Sequence, residues 1–145
     1  MVVSIMLIGV VGFNMLRVQN RTSVRESADT LVSDLASQQS KAMLGATEGR
    51  ASADSYGVYF LSDQYVLFHG TSYNSNDITN YVVKLPSDLQ FTGSTIPNNI
   101  IVFTALSGEI LGFSPSGNTI AIKTINTNSQ LTITINRYGV VTGVQ

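Results

Sequence analysis

The chain has 145 residues, one domain's worth with room for an appended segment. Charged residues are 12% of it and the formal net charge is −1, so no global field draws in nucleic acid. Cysteine is absent, which excludes disulfide frameworks, thiol catalysis and Cys-type zinc sites; Ser, Thr and Asn, abundant from Ser72 onward, suit an exported domain of strands and turns.

The first sixteen residues, Met1 to Leu16, carry no charge. They fall short of the roughly 20 apolar residues that a membrane-spanning helix needs. A secretory signal peptide would begin with a basic region, which is missing, and would end in a small-x-small cleavage site, also missing. A buried core helix is the other rival, but the run is apolar on every face, and a domain of this size has little core to surround it. Membrane or intersubunit burial is the reading adopted. Arg17, Arg21 and Arg25 stand at steps of four and line one helical face just past the run. They read as a solvated collar, with contact to phosphates as the alternative.

From Arg17 on, Val24, Ala28, Leu31, Leu35 and Ala42 form one apolar stripe at heptad-like spacing, interrupted by Gln38. No Gly lies between Gly12 and Gly45 and no Pro precedes Pro86, so one helix from near Met1 to Leu44 is expected, stopped at Gly45 and Gly49. Its rise of about 65 Å exceeds a domain of this size, so the first half is expected to project. The boundaries assigned are residues 1–24 for the apolar projecting half and 25–145 for the head. Within the head, an amphipathic helix half runs to about residue 44, followed by a β-meander over 56–145.

The remainder reads as strands. Gly57–Leu61 and Gln64–His69 form a predicted hairpin rich in Tyr, Phe and Val. A polar loop, Thr71–Asn80, follows. Short strands are predicted at Tyr81–Leu85, Leu89–Thr92 and Ile100–Thr104, separated by Pro86 and Pro97. Thr119–Ile125 and Gln130–Asn136 alternate apolar and polar residues about Asn126-Thr127-Asn128-Ser129, and Gly139–Val144 closes the chain. The fold class expected is α+β, one long helix packed on a single antiparallel meander.

Motifs for chemistry are sparse. His69 is the only histidine, which excludes multi-histidine metal sites. Its expected role is that of a hydrogen-bonded edge histidine rather than a triad base, since no Gly-x-Ser-x-Gly elbow exists. Asp54, Asp63, Asp77 and Asp88 sit in turn-like sequence and read as turn formers. Ser75-Asn76-Asp77 as a set of calcium oxygens is the lesser alternative. No catalytic residue, cofactor or metal is assigned, and the chain is not expected to be an enzyme.

The order of segments resembles the type IV pilin and pseudopilin family. MVVSIMLIGVVGFNMLR looks like the part of a pilin that follows its short Phe-Thr-Leu-Ile-Glu beginning. Ala28–Met43 resembles the helix that precedes the head in minor pseudopilins of type II secretion. Ile101–Ile110 is similar to a strand-turn segment of the form I-x-F-x-x-x-x-G, and Ile133–Val141 to the closing strand pair. Family members enter the membrane with a basic leader ending in Gly and present a glutamate in the first turn of the mature helix. No acidic residue precedes Glu26 here, so no residue takes that role. Adding about five upstream residues would bring the apolar run to the roughly 20 that a span requires, so a leader and those residues are expected upstream of Met1.

The resemblance implies a structural filament subunit, in which Val2, Val3, Ile5, Leu7, Ile8, Gly9, Val10, Val11, Gly12 and Phe13 form the assembly and membrane helix. The partners it implies are copies of the chain or other pilins, the cytoplasmic membrane before assembly, an assembly platform and a prepilin peptidase. It places the head on the outer side of the inner membrane, then in an extracellular filament or periplasmic pseudopilus. Two alternatives stand beside it. One is a minor pilin whose head binds DNA or another ligand through Thr71–Asn80. The other is a single-span membrane protein with a β-rich binding head.

Overall fold

The computed structural model describes residues 2–127 and 129–145, with side chains from residue 22 onward. Among the described residues the chain forms one α-helix, a short 3-10 turn and eight strands. Helix α1 (Val2–Met43) packs on the head through its 22–43 segment, about 33 Å of helix. The expected projection of the first half, and the assembly residues Val2 to Phe13, fall on residues 1–21 and lie outside the described side chains.

The stripe read from the sequence is the wall of the core. Val24, Ala28, Leu31, Leu35 and Ala42 are all buried. Gln38 does not interrupt it, being only 2% exposed. Its Nε2 donates to the carbonyls of Gly57 at 2.8 Å and Phe68 at 3.1 Å, so the one polar position of the stripe is satisfied by the sheet beneath it. Arg25, the described member of the arginine row, forms an exposed pair with Asp29, the solvated role expected of the row.

The helix ends as Gly45 dictates. Gly45 sits at φ +63°, its N–H donates to Ala42 O at 3.1 Å, and Ala46 N–H donates to Lys41 O at 2.9 Å. These two bonds are the Schellman pair, which needs a left-handed residue where glycine stands.

The strands are β1 (Tyr56–Phe60), β2 (Gln64–His69), β3 (Tyr81–Lys84), β4 (Leu89–Thr92), β5 (Ile100–Phe103), β6 (Thr119–Thr124), β7 (Gln130–Ile135) and β8 (Val141–Val144). They lie within a residue or two of the predicted segments, but the single meander is a misreading. They build two four-stranded antiparallel sheets, in the orders β3-β2-β1-β5 and β4-β6-β7-β8. After β3 the chain leaves the first sheet, and Pro86 and Pro97, neither able to donate a ladder bond, flank the excursion. Leu89–Thr92 then pairs with β6 while Ile100–Phe103 returns to β1. Tyr56, Val58 and Phe60 of one sheet and Ile120, Ile122, Ile133 and Ile135 of the other meet α1 in a common core. The α+β class therefore holds, with the helix on two antiparallel sheets.

The outer face of the first sheet is also covered. Phe68 and Tyr59 point away from α1, and Tyr73 packs on both, with ring centroids 5.6 and 4.5 Å apart. Thr71–Asn80, expected as a polar loop, thus lays Tyr73 across the outer face of the sheet.

Candidate functional site

Two features of the head stand out from ordinary core and turn structure. The first is a chain of charges where the helix end, the start of β1 and the end of β2 converge. Lys41 Nζ lies 2.7 Å from Glu48 Oε1, Arg50 lies between Glu48 at 3.7 Å and Asp54 at 3.4 Å, and His69 Nδ1 meets Asp54 Oδ2 at 2.8 Å. His69 Nε2 then meets Asp77 Oδ2 at 2.9 Å. Arg50 also donates to the Tyr56 hydroxyl at 2.6 Å, which in turn donates to Ala46 O at 2.9 Å. Burial of that phenol pushes its pKa up, keeping it a donor. Lys41 beside Glu48 holds that carboxyl below its ordinary range.

The junction staples loops rather than preparing chemistry. A doubly protonated imidazole donates to both carboxylates, and a neutral one to a single carboxylate. In either form a carboxylate oxygen faces each ring nitrogen, so a triad-base role would require displacing one of the two carboxylates. Asp77 does more than form a turn. Its Oδ1 accepts from Thr79 N at 2.9 Å and Thr79 Oγ1 at 2.7 Å while Oδ2 faces His69. The Thr79 bonds, ahead of the His69 charge, hold its carboxyl below the usual carboxylate range. Both oxygens of Asp77, the carboxylate of the calcium alternative, are thereby occupied. Among the described residues no group of His, Asp and Glu is placed to hold a metal ion.

The second feature is a cavity of about 360 Å³ on the outer side of β5, beside the bridge between Phe103 and Ile110. Ile96, Pro97, Ile100, Ile110, Leu111 and Phe113 supply its apolar wall, and Thr71, Ser72, Asn98 and Asn118 its neutral rim. No Asp, Glu, Lys, Arg or His lines it among the described residues. A site of this composition binds by shape and apolar contact, with no group to move a proton or anchor an ion. Its backbone is fixed on one side: Leu111 N–H donates to Val102 O at 2.8 Å and Thr104 N–H to Glu109 O at 2.9 Å, capping the end of β5. The cavity opens where that cap stops.

The sequence did contain a signal for this cavity. Ile110, Leu111 and Phe113 are bulky apolar residues in a Gly- and Ser-rich connection outside any strand, where a solvated loop has no use for them. The predicted site residues Val2 to Phe13 are not brought into contact with either feature by anything described. Among the residues whose side chains are described no helix is long and apolar enough to cross a membrane; the uncharged run Met1–Leu16 lies outside those residues. No protein-family model, curated protein or solved structure matches the chain.

Proposed function

We propose that the chain is a structural subunit of a filament of the type IV pilin or pseudopilin kind, assembled through its uncharged N-terminal helix half. The observation that carries this reading is continuity. Helix α1 (Val2–Met43) joins a run without charge to a segment whose Val24–Ala42 stripe is the wall of the head's core. An apolar handle joined to a folded head through a stretch with no Gly between Gly12 and Gly45 and no Pro before Pro86 suits a subunit that exchanges surroundings as a unit. The handle rests first in the cytoplasmic membrane with the head outward, and an assembly platform then moves it among the handles of other copies. Lipid and a helical filament core are similarly apolar, so the transfer is close to neutral in hydrophobic free energy and small residues decide the packing.

Gly9 and Gly12 are those small residues. Gly9→Leu is expected to abolish sedimentable filaments from cells expressing the unprocessed gene, while the near-UV circular dichroism of the head stays unchanged. Wild-type filament yield from Gly9→Leu would overturn the reading.

A further inference from the structure

β3 closes one side of the first sheet and is bonded to β2 alone. Its register pairs Tyr65 with Val83 and Leu67 with Tyr81, and Leu85 N–H donates to Asp63 O at 2.9 Å. The odd-numbered residues of β3 therefore exchange backbone bonds with β2, and Val82 and Lys84 turn their N–H and C=O groups outward along an open edge. That edge carries neither Pro nor bulge, and Lys84 is its one charged residue. Tyr81 and Val82 on it are 66% and 46% exposed. Tyr81 lies on the face of the sheet from which Tyr65, Leu67 and Val83 pack toward the core, and Val82 and Lys84 lie on the other.

We propose that β3 of one copy pairs with β3 of a second copy, antiparallel about a two-fold axis through the Val82 pair, so that the two first sheets run on as one. Outward backbone groups at every second residue call for a strand, and they restrict the register to those in which even residues face even residues. Two such registers bond both Val82 and Lys84. With Val82 facing Lys84, the lysines of the two copies come to about 8 Å on one face of the sheet and repel. With Val82 facing Val82, each Lys84 faces Asn80 of the other copy. The lysines then stand about 14 Å apart, beyond the roughly 10 Å over which 0.1 M salt screens them. Charge selects this second register. In it Val82 exchanges both backbone bonds with its counterpart, and Lys84 N–H reaches the Asn80 carbonyl. Tyr81 of each copy lies opposite Val83 of the other, an aromatic against a β-branched residue, which is a favourable cross-strand pair. Asn80 N–H is already bonded to Asp77 O at 3.2 Å, so the ladder stops there. An isologous contact of this kind closes at two copies. It uses head residues only and is independent of the filament reading.

The absence of cysteine allows a test on the full chain in detergent. Facing residues of a bonded pair have Cα atoms about 5.5 Å apart, within the span of a disulfide. Under copper-phenanthroline, Val82→Cys is expected to give a covalent dimer and nothing larger, in excess of Ile125→Cys, an exposed control. Lys84→Cys by itself is expected to stay monomeric, its two copies being too far apart to bridge. Val82→Lys sets two like charges face to face and is expected to shift the sedimenting species from dimer to monomer with the near-UV circular dichroism unchanged. The pairing is overturned if Val82→Cys links no more than Ile125→Cys, or if Lys84→Cys links to itself as readily as Val82→Cys does. It is overturned equally if Val82→Cys prefers Thr142→Cys on β8, the outer strand of the second sheet, or if folded Val82→Lys sediments as the wild type does. Should Val82→Lys lose its near-UV signal, the cysteine variants decide alone.

Discussion

Gln38 tests how a polar residue is accommodated in the seam between helix and sheet. Its amide donates to the carbonyls of Gly57 and Phe68, which face each other across β1 and β2. The flanking bonds Gly70 N–H to Ser55 O and Leu61 N–H to Gln64 O fix the alternation of the antiparallel ladder, making Gly57 and Phe68 a hydrogen-bonded pair. Both carbonyls therefore keep a ladder donor when Gln38 is replaced, and neither is orphaned. Gln38→Ala loses two bonds at about 1 kcal/mol each and a buried methylene at about 0.8 kcal/mol, a total near 3 kcal/mol. Gln38→Leu loses the same bonds but fills the site with an apolar side chain, whose burial contributes about 1.5–3 kcal/mol. It is expected to lie within about 1 kcal/mol of the parent. Urea unfolding followed by tyrosine fluorescence, in a chain with six Tyr and no Trp, gives both values if the m-value holds constant. If Gln38→Leu falls as far as Gln38→Ala, the carbonyls depend on the amide and the reasoning fails.

Two further outcomes follow from the head. A Cβ at Gly57 would stand 2.4 Å from Phe68 Cζ and 2.7 Å from Ile101 O; the ring can turn but the strand carbonyl cannot, so Gly57→Ala is expected to cost about 3 kcal/mol and lower the thermal midpoint by about 10 °C, whereas a shift within error would show that β1 and β5 are not pinned there. Asp77 has a folded pKa below its unfolded one, so its anchoring of the loop is complete above the ordinary carboxylate value and is lost as pH falls through the folded value. Tyr73 ring resonances are accordingly expected to stay fixed down to about pH 5 and to shift in stronger acid, with that transition missing in Asp77→Asn; a transition unchanged by Asp77→Asn would assign it to another group.

Local structure was legible in the sequence wherever a period or a turn residue carried it. The alternation of Ile120 and Ile122 with Thr119 and Ala121 against Leu131, Ile133 and Ile135 announced β6 and β7, and Gly45 announced the helix stop. Which strands become neighbours was not legible. β5 pairs with β1 across more than forty positions, and alternation states that a strand has a buried face without stating beside which strand it lies. Gln38 was misread for the same reason: heptad spacing identifies the stripe, but only the carbonyls of a distant hairpin make glutamine acceptable within it. His69 was seen as a bonded residue at a strand end, while its two carboxylates, Asp54 and Asp77, come from loops on either side of the hairpin. The cavity at β5 left only the stray apolar residues Ile110, Leu111 and Phe113 as a sign, because its wall gathers residues from the Pro97 turn, the 110–114 connection and the end of β7.

The placement of charge gives the two sheet edges their meaning. With 12% of residues charged, the chain concentrates Lys41, Glu48, Arg50, Asp54 and Asp77 around Tyr56 and His69, where they tie two loops to the helix end and the hairpin. Little is left to guard strand edges, which soluble domains commonly protect with lysine, inward-pointing charge or a bulge. β5 has no charged residue and β3 has Lys84 at its last position only, while the bulge in the ladders lies between β7 and β8 in the other sheet. An unguarded edge is a liability in a monomer and a joining surface between copies. In the first sheet β3 is such an edge, whereas the outer side of β5 is bridged by Ile110 and its Val102 O accepts from Leu111 N–H.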